Sequence, residues 1–397
     1  MKTITVKMLE RFAAVTDMCM LLLFRVFPIR KKRIFMESEG DFTDNVRVFY
    51  DWLIENRYNE LYEIIWMVHE PSRYDSPPNV RFISRFHKGL RLKANYYAAT
   101  SQFLFFTHPY WIRIWRKNQY VVNTTHSAAQ LKAEGNPKRK LSDYVLCCSE
   151  YCKRIKAKVF KIDDKNILIL GMPRIDLMFQ HIECFPLLYP EKEAYWGRKK
   201  LILSMETFKQ NKNMMDSENT DGFAINVAHS EKEIQNLDGF LETCNTIMIV
   251  KIHHLQDLSF LRRVQLKNIL YITDDFLQQA GVQVNQLLEN ADVLLTDYSS
   301  VFYDYLLKDR PIGFTIGDME SYKRGFIMEN PLDEMPGAKL KNLHDLKEFI
   351  KDSLYGKDEY REARKEIREK VFQYQDAHNC ERLYEWMIRQ LDDEKQT

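Results

Sequence analysis

Short apolar runs alternate with amphipathic, charged stretches along nearly the whole chain. The first half contains seven runs that read as short buried strands, at Arg33–Glu37, Tyr62–Val68, Val80–Ser84, Gln102–Thr107, Gln119–Thr124, Tyr144–Cys148 and Asn166–Leu170. Between them, helical spacing of apolar residues occurs near Asp44–Asn56, His87–Ala99 and Glu150–Val159. Strands that alternate with helices are typical of parallel sheets covered by helices. The first half therefore predicts a Rossmann-like domain.

The second half repeats the alternation more clearly. Its predicted strands are Lys200–Ser204, Thr246–Ile252, Asn268–Ile272, Asp292–Thr296 and Ile312–Thr315, and its predicted helices lie near Glu231–Thr243, Val284–Glu289 and Ser300–Lys308. We therefore expect a second Rossmann-like domain, joined to the first near residues 180–198. The predicted organisation is an amphipathic segment (1–32), a first domain (33–185), a second domain (186–358) and a helical segment (359–397), whose stretch Glu359–Leu391 is charged and helical. Residues 209–222 are polar and predict a loop.

Charged residues are unevenly distributed along the chain, and this distribution suggests what the first half binds. The net charge is only +2, but residues 1–180 hold 30 Lys and Arg against 18 Asp and Glu, and the rest holds 28 against 38. Residues 84–118 lack acidic side chains and mix aromatic residues with seven basic ones, namely Arg85, Lys88, Arg91, Lys93, Arg113, Arg116 and Lys117. Such a surface suits anionic lipid headgroups or a polyanionic acceptor, and nucleic acid less well. The apolar residues before Arg30-Lys31-Lys32-Arg33 favour docking at a membrane surface, and a solvated helix face is the alternative.

Cysteines and missing motifs narrow the class of protein further. The seven cysteines have no zinc-site spacing, which predicts reduced thiols in a cytosolic setting. The apolar run over residues 12–28 is interrupted by Asp17 and Arg25 and is too short to span a bilayer. We therefore expect a cytoplasmic protein, peripheral at the inner face of the cell membrane. The sequence lacks G-x-G-x-x-G, Walker, H-E-x-x-H and D-x-D motifs, so neither a metal site nor a cofactor is predicted.

The string Ala291-Asp292-Val293-Leu294-Leu295-Thr296-Asp297-Tyr298-Ser299-Ser300 is the most informative part of the sequence. An apolar strand ends in Thr296-Asp297, and Ser299 and Ser300 are good N-cap residues for the helix that follows. Backbone N–H groups and the positive end of the helix dipole meet there, which makes the place suitable for a phosphate. An ordinary capped helix after a buried strand is the structural alternative.

Histidines follow predicted strands in both halves. His253 and His254 come after the strand that ends at Ile252, and His126 comes after Val121-Val122-Asn123-Thr124. Ligands of open α/β sheets bind beyond the carboxyl ends of strands, where a histidine can serve as acid, base or phosphate donor. His126 and His253 are thus expected to face an interdomain cleft from either side, and hydrogen-bonded surface histidines are the alternative. Arg174, in the turn Gly171-Met172-Pro173-Arg174-Ile175-Asp176, is expected to reach a phosphate or to pair with Asp176.

Together these residues resemble the CDP-glycerol glycerophosphotransferase family, the polyol-phosphate transferases of teichoic-acid and capsule synthesis. The likeness extends from about Arg33 to Leu346 and rests on a set of motifs: Ala291–Ser300 with Asp304; Pro311; the Asp318–Tyr322–Gly325 spacing; Pro336-Gly337; Gly171, Pro173, Arg174 and Asp176; and Lys251 with His253. Three elements depart from the family pattern. Thr125-His126-Ser127 replaces Trp-His-Gly, His254 replaces a proline, and Glu206-Thr207-Phe208-Lys209 replaces Pro-Thr-Phe/Trp-Arg.

The resemblance implies an α/β, GT-B-like fold with two Rossmann-like domains whose parallel sheets face each other across a cleft. It implies an acceptor domain first, a CDP-donor domain second, and an acceptor that is a lipid-linked glycan or polyol phosphate. His126 is then expected to act as general base and His253 to steady the pyrophosphate. The residues expected to contact the donor phosphates or nucleotide are Ser299, Ser300, Asp297, Thr296, Arg174, Lys209, Thr207 and Lys251. Two other functions stay open: a GT-B glycosyltransferase that uses a nucleotide sugar, and a CDP-polyol-binding homologue with little catalysis.

Overall fold

The structure, a computed structural model, describes residues 2–85, 91–108, 111–132, 141–190, 199–207, 224–252, 264–317, 319 and 325–396, with side chains described between 13 and 392. The chain forms two compact units. The first unit consists of Met1–His126, Asn136–Asp176 and His378–Thr397, and the second of Ser127–Gly135 and Leu177–Ala377.

The first unit is built on a parallel sheet of seven strands. Its strands are β1 (Arg30–Met36), β2 (Glu63–Val68), β3 (Val80–Ser84), β4 (Ser101–Phe106), β5 (Tyr120–Asn123), β6 (Tyr144–Cys147) and β7 (Ile167–Ile169). The strand order is β3-β2-β1-β4-β5-β6-β7, and Ile34 of β1 is aligned with Ile64 on one side and Phe103 on the other. The order reverses between β1 and β4, so the carboxyl ends of these two strands mark the expected binding crevice of the sheet.

The second unit contains a parallel sheet of six strands. They are β8 (Lys200–Met205), β9 (Thr246–Lys251), β10 (Ile269–Ile272), β11 (Val293–Thr296), β12 (Ile312–Thr315) and β13 (Ala338–Leu340). Their order is β10-β9-β8-β11-β12-β13, which reverses between β8 and β11. Buried Ile202, Met248, Val250, Val293 and Leu295 join one hydrophobic cluster on this sheet. The apolar runs that predicted these strands are apolar because they are buried between layers.

Twelve helices accompany the sheets in the described part of the chain. They are α1 (Lys2–Leu23), α2 (Asp44–Glu55), α3 (Leu92–Thr100), α4 (Glu150–Phe160), α5 (Cys184–Leu188), α6 (Glu231–Thr243), α7 (Asp274–Gln279), α8 (Val284–Asn290), α9 (Val301–Tyr305), α10 (Leu343–Leu354), α11 (Arg361–Val371) and α12 (Asn379–Gln396). Among these helices, none is both long enough and apolar enough to cross a lipid bilayer.

The predicted fold class of two parallel α/β domains is confirmed, with all twelve predicted strands present. Strand β13 was not predicted because three residues after Pro336-Gly337 carry too little pattern. Gly337 makes its pairing with β12 possible, since a Cβ atom there would lie 2.1 Å from the carbonyl oxygen of Ile312. The charged stretch Glu359–Leu391, expected to be helical, forms two helices, because the chain leaves α11 after Val371 and begins α12 at Asn379. The predicted loop at 209–222 lies outside the described residues.

The two units differ from the predicted domain boundaries at the C-terminus and near residue 177. Helix α11 belongs to the second unit and α12 to the first. The carboxylate of Asp176 accepts hydrogen bonds from the backbone N–H groups of Asn379 and Cys380, both at 2.9 Å, which joins α12 to the first unit. Just beyond the division, the N–H of Cys184 donates to Asn290 Oδ1 at 2.9 Å, which joins α5 to the second unit. These contacts explain why the chain divides near 176 rather than near 185.

Candidate active site

His126 lies at the carboxyl edge of the first sheet, three residues after β5 ends. The N–H of Thr124 donates to the carbonyl of Phe106 and extends the strand by one residue. Thr125 then turns the chain with φ +53°, in the left-handed region that non-glycine residues rarely adopt. The following residue, His126, is half-buried. The sheet therefore positions this histidine beside the ends of β1 and β4, as the sequence predicted for a strand-end histidine.

Burial and charge keep the imidazole of His126 neutral. Its ring stacks on the ring of His108, with the centroids 4.4 Å apart and the planes 21° apart. The pKa of His126 falls from its usual 6.5 to about 3, first because burial desolvates the ring and then because of electrostatic interactions with His108 and Arg174. A neutral imidazole has an unprotonated nitrogen that can accept a proton. His126 is therefore in the state that a general base requires.

His108 and Glu39 belong to the same edge of the sheet, although the sequence analysis did not identify them. Glu39 follows β1, His108 follows β4, and Glu39 forms an ion pair with the Nε2 atom of His108. The hydrogen bond from His108 lowers the pKa of Glu39 below its usual value. The N–H of Glu39 also donates to Thr107 Oγ1 at 3.0 Å, which ties the two loops together. The sequence feature that could have identified Glu39 and His108 is that each residue lies shortly after a buried strand.

Glu37 is a second acidic residue that sequence reasoning missed at this edge. Burial raises the pKa of Glu37 from 4.5 to about 7, although Arg85 and Trp111 oppose the rise. An Arg85 Nη2 atom lies 3.1 Å from Glu37 Oε1, and Trp111 Nε1 donates to Glu37 Oε2 at 3.1 Å. A buried carboxyl group that titrates near neutral pH next to a binding crevice is typical of functional sites.

Arg174 is bonded within the first unit. Its Nη1 atom donates to the carbonyl oxygen of His126 at 2.6 Å and to Asp44 Oδ1 at 3.0 Å, and its N–H donates to Asn45 Oδ1 at 3.0 Å. The alternative that it pairs with Asp176 is wrong, because the Asp176 carboxylate holds α12. In this arrangement Arg174 supports the backbone of His126, and its expected contact with a phosphate stays a prediction.

Gly171 explains why the turn before Arg174 begins with glycine. Its φ is +78°, and a Cβ atom there would lie 1.6 Å from Asn379 Oδ1. Any other residue would both strain the backbone and displace α12. The Gly-x-Pro-Arg-x-Asp motif therefore serves the packing of the first unit, with Arg174 as the link to His126.

Asp297 organises the carboxyl edge of the second sheet, between the ends of β8 and β11. It is fully buried and accepts hydrogen bonds from the N–H of Thr207 at 2.9 Å, from Thr207 Oγ1 at 2.7 Å and from the N–H of Ser299 at 3.0 Å. With these three hydrogen bonds Asp297 joins both loops, and its expected contact with the donor phosphates or nucleotide stays a prediction. Thr296, also fully buried, donates its hydroxyl to the carbonyl of Met205 at 2.7 Å.

The expectation that Ser299 or Ser300 caps a helix is wrong in detail. Ser300 stands at the N-cap position of α9, but its dihedral angles (φ −68°, ψ −4°) are helical and its side chain accepts no capping hydrogen bond. N-cap residues normally have extended dihedral angles, and here the N–H of Tyr303 donates to the backbone carbonyl of Ser300. Helix α9 is also only five residues long. Both serines are half-buried in the loop. A phosphate bound at this loop would therefore contact their hydroxyl groups rather than the end of a long helix.

Two lysines lie near the same edge. Lys132 Nζ donates to Thr207 Oγ1 at 3.0 Å, and Lys251 Nζ lies 2.8 Å from Asp274 Oδ1. Lys132 was missed, because it precedes the second sheet by nearly seventy residues in the sequence and joins that unit only through contacts. His253, His254 and Lys209 lie outside the described residues. The structure thus brings together His126 with Arg174 in the first unit, and Thr207, Asp297 and Ser299 in the second.

Comparison with known proteins identifies the family to which this chain belongs. The sequence profile of the family described as CDP-Glycerol:Poly(glycerophosphate) glycerophosphotransferase matches residues 19–389. The teichoic acid poly(ribitol-phosphate) polymerase of Bacillus spizizenii is 27% identical over 362 residues, 84% of this chain and 53% of that protein. The teichoic acid poly(glycerol phosphate) polymerase of the same species is 25% identical over 393 residues, 87% of this chain and 92% of that protein. The chain spans about half the length of most of the curated relatives that it matches.

Solved structures support the same fold. The wall teichoic acid polymerase TagF superposes with a TM-score of 0.74 at 17% sequence identity, covering 98% of this chain and 96% of that one. At this identity the likeness shows that the two proteins share their fold, including the GT-B-like pair of parallel-sheet domains. The extent of the family match decides the relationship: this chain belongs to the CDP-glycerol:poly(glycerophosphate) glycerophosphotransferase family.

Proposed function

We propose that this protein transfers a glycerol-phosphate or ribitol-phosphate unit from a CDP-activated polyol to a hydroxyl group of a polyol-phosphate or lipid-linked glycan acceptor, with release of CMP. The observation that carries the proposal is the neutral imidazole of His126 at the carboxyl edge of the first sheet, in a chain matched to the family over residues 19–389. The teichoic acid polymerases named above suggest the polymer class, and their names include both ribitol phosphate and glycerol phosphate.

The reaction needs one proton transfer and one phosphoryl-type displacement. The acceptor hydroxyl oxygen attacks the β-phosphorus of the CDP-polyol, the bond from this phosphorus to the bridging oxygen breaks, and CMP leaves with the bonding electrons. The hydroxyl proton passes to the unprotonated ring nitrogen of His126. A positioned base of this kind contributes roughly 10²–10⁴-fold to the rate.

The second unit is proposed to hold the donor. Asp297 does not act as a nucleophile in this proposal, because its oxygens already accept three hydrogen bonds from Thr207 and Ser299. It keeps the hydroxyls of Ser299 and Ser300 in a fixed loop, next to the Lys132 ammonium on Thr207. Preorganised donors and cations suit a diphosphate whose charge changes during transfer. Lys251, Lys209 and His253 are proposed to complete the contacts.

A donor screen tests the function. Purified protein is given CDP-glycerol, CDP-ribitol, UDP-sugars and GDP-sugars with a short polyol-phosphate acceptor, and the released nucleotide is identified by mass. We expect CMP from a CDP-polyol and, with His126→Ala, a loss of CMP release of at least about 100-fold. His181→Ala is the matched control, since His181 pairs with Glu289 in the second unit.

Two results would overturn the proposal. Turnover of a nucleotide sugar without CMP release would favour a glycosyltransferase. Tight binding of a CDP-polyol with no turnover by any variant would favour a binding protein with little catalysis.

We also propose that the first unit associates with a membrane surface. The end of α1 and the turn after it expose Leu22, Leu23, Val26 and Phe27, with exposed fractions between 44% and 77%. Helix α1 is fixed beneath them, because buried Asp17 pairs with Arg91 at 3.3 Å. Exposed apolar residues beside basic ones favour an interfacial position.

Several arginines of the basic stretch at residues 84–118 form contacts within the first unit. Arg85 pairs with Glu37, Arg91 pairs with Asp17, and Arg116 donates to the carbonyls of Phe27 and Arg25. Neutralising these arginines would therefore damage the unit itself. Liposome flotation should instead compare wild type with Val26→Asp and with Lys31→Gln/Lys32→Gln. We expect weaker binding to anionic vesicles for both, with salt sensitivity lost mainly in the lysine variant. Unchanged flotation of both variants would exclude this surface.

A further inference from the structure

The first unit holds a second imidazole that the proposed mechanism does not use. His108 enters the site from the end of β4, while His126 enters from the end of β5. Their rings lie nearly parallel with centroids 4.4 Å apart, and Glu39, from the end of β1, is ion-paired with His108 Nε2. Three neighbouring strands thus contribute one residue each to a stack of carboxylate, imidazole and imidazole.

The loops that carry this stack are joined by hydrogen bonds, so its geometry is fixed by the backbone. The N–H of Glu39 donates to Thr107 Oγ1 at 3.0 Å, and the carbonyl of Glu39 accepts from Thr43 Oγ1 at 2.7 Å. On the other side, Arg174 donates to the carbonyl of His126 at 2.6 Å. The ring of His108 therefore lies against a histidine whose backbone is held in place independently.

Charge couples the two rings. The charged groups that act on His126 are His108 after β4, Glu39 after β1, Arg174 after β7 and Lys156 of α4. Arginine and lysine keep their charge at neutral pH, and an ion-paired carboxylate does too. His108 is the neighbour whose residue type changes charge between pH 5 and 8. A proton on His108 opposes a second proton on His126, because two like charges would then lie in one stack.

We propose that His108, held by Glu39, is a positioning residue for His126 that fixes the plane of its ring and, through its own charge, sets how readily His126 accepts the acceptor proton. The part of this inference that concerns turnover rests on the proposed function. The part that concerns coupling between the rings does not.

The coupling is tested first without activity. Histidine ring Cε1–H signals are followed by NMR from pH 2 to 8.5, a range that includes the wild-type midpoint of His126 near 3, in wild type, His108→Phe and His378→Phe. Phenylalanine preserves a stacking ring and removes the charge. His378 is the matched control, because it forms another histidine–glutamate pair of the first unit, with Glu381 at 2.9 Å. In His108→Phe we expect the titration midpoint of His126 to rise by about one pH unit or more, the size that a close like charge produces.

Activity then tests the positioning role. His108→Ala removes both ring and charge, and we expect kcat to fall about 10- to 100-fold with little change in the KM of the donor. His108→Phe should retain more of kcat than His108→Ala and move the acidic limb of the pH–kcat profile to higher pH. If His108→Phe fails to fold, His108→Gln, which can still donate to Glu39, is used for the same titration.

The outcomes separate this inference from the proposed function. An unchanged midpoint of His126 in His108→Phe, or a kcat and pH profile of His108→Ala that match those of His378→Phe, would overturn it. If wild type releases no CMP from any CDP-polyol, the proposed function fails, while the NMR titration still decides whether His108 controls the protonation of His126.

Discussion

At the carboxyl edge of the first sheet, Glu37, Glu39, His108 and His126 gather around the ends of β1, β4 and β5, and the pKa values of three of them are shifted. At the corresponding edge of the second sheet, the fully buried carboxylate of Asp297 accepts three hydrogen bonds from Thr207 and Ser299. Two sheets of similar topology therefore carry different chemistry. The first edge is arranged to exchange protons, whereas the second is arranged to hold a fixed set of donors around an anion.

The difference follows from what surrounds each acidic group. Glu37 is paired with Arg85 and Glu39 with His108, and burial opposes each pairing. Within the part of the chain that the structure describes, Asp297 accepts hydrogen bonds from neutral donors, the backbone N–H groups of Thr207 and Ser299 and the hydroxyl of Thr207. Three hydrogen bonds hold this carboxylate and its two loops in one arrangement. Proton chemistry should therefore be sensitive to changes in the first unit and donor binding to changes in the second.

The largest expected effect comes from His126→Ala. Loss of the general base should lower kcat by roughly 10²–10⁴-fold. Donor affinity should stay close to that of wild type, because the proposed donor contacts lie on the second unit. Single-turnover CMP release and a separate CDP-polyol binding titration measure the two quantities. A large loss of donor affinity with kcat preserved would reverse the assignment of the two edges.

Asp297→Ala should have the next largest effect. It should change the KM of the donor, whereas His126→Ala should change kcat. Three donors lose their acceptor, and each hydrogen bond to a charged group contributes about 1.5–3 kcal/mol. We expect the KM of the donor to rise about 10- to 100-fold as the loop loses its geometry, with a lower melting temperature. Asp304→Asn is the control. Asp304 is also buried in the same string, but it accepts from Asn285 Nδ2 at 3.1 Å and joins α9 to α8. A similar rise in KM for both variants would mean that the effect is loss of folding.

Lys132→Met should produce a smaller change, confined to the donor. If its ammonium contacts a phosphate, the KM of the donor should rise about 3- to 10-fold and depend less on salt, as expected for a partly exposed charge. Lys132→Arg should restore part of the affinity. Lys200→Met serves as control, because Lys200 is an exposed lysine at the start of β8, paired with Asp292 at 3.0 Å. Equal KM values in Lys132→Met and wild type would remove Lys132 from the donor site.

Much of the fold could be predicted because buried strands are apolar on both faces, and this pattern is readable in single runs such as Thr246–Ile252. The position of Asp297 at the end of a strand could also be predicted, because its strand, loop and helix are contiguous in sequence. The failure at Ser300 has a local cause: its dihedral angles are already helical, and the N–H of Tyr303 donates to the backbone carbonyl of Ser300 rather than to its hydroxyl.

The edge of the first sheet could not be predicted in the same way. Glu39, His108 and His126 are separated by 69 and 18 positions and meet only because β1, β4 and β5 are neighbours in the sheet. Alternation of strands and helices reveals that a parallel sheet exists but not the order of its strands. The site in the first unit is therefore a product of topology, whereas the site in the second unit is largely a product of one string of sequence.

The smallest effect on turnover is expected from Glu37→Gln, and its main effect is on the pH dependence of stability. Because the pKa of Glu37 is raised from 4.5 to about 7, the folded state binds this proton more tightly than the unfolded state does. The stability that this proton contributes is fully present below pH 4.5 and is lost as the pH rises through about 7. The shift corresponds to about 3 kcal/mol over that window.

Chemical denaturation of wild type and Glu37→Gln from pH 4.5 to 8 measures this contribution. His126 acts in the reverse direction in both proteins, because its lowered pKa costs stability as the pH falls below 6.5. The difference between the two curves therefore isolates Glu37, and we expect Glu37→Gln to gain stability relative to wild type as the pH rises from 4.5 to 8. Parallel curves would show that Glu37 is ionised throughout, paired with Arg85. The first edge would then exchange protons only through its histidines, and its contrast with the edge around Asp297 would rest on His108 and His126 alone.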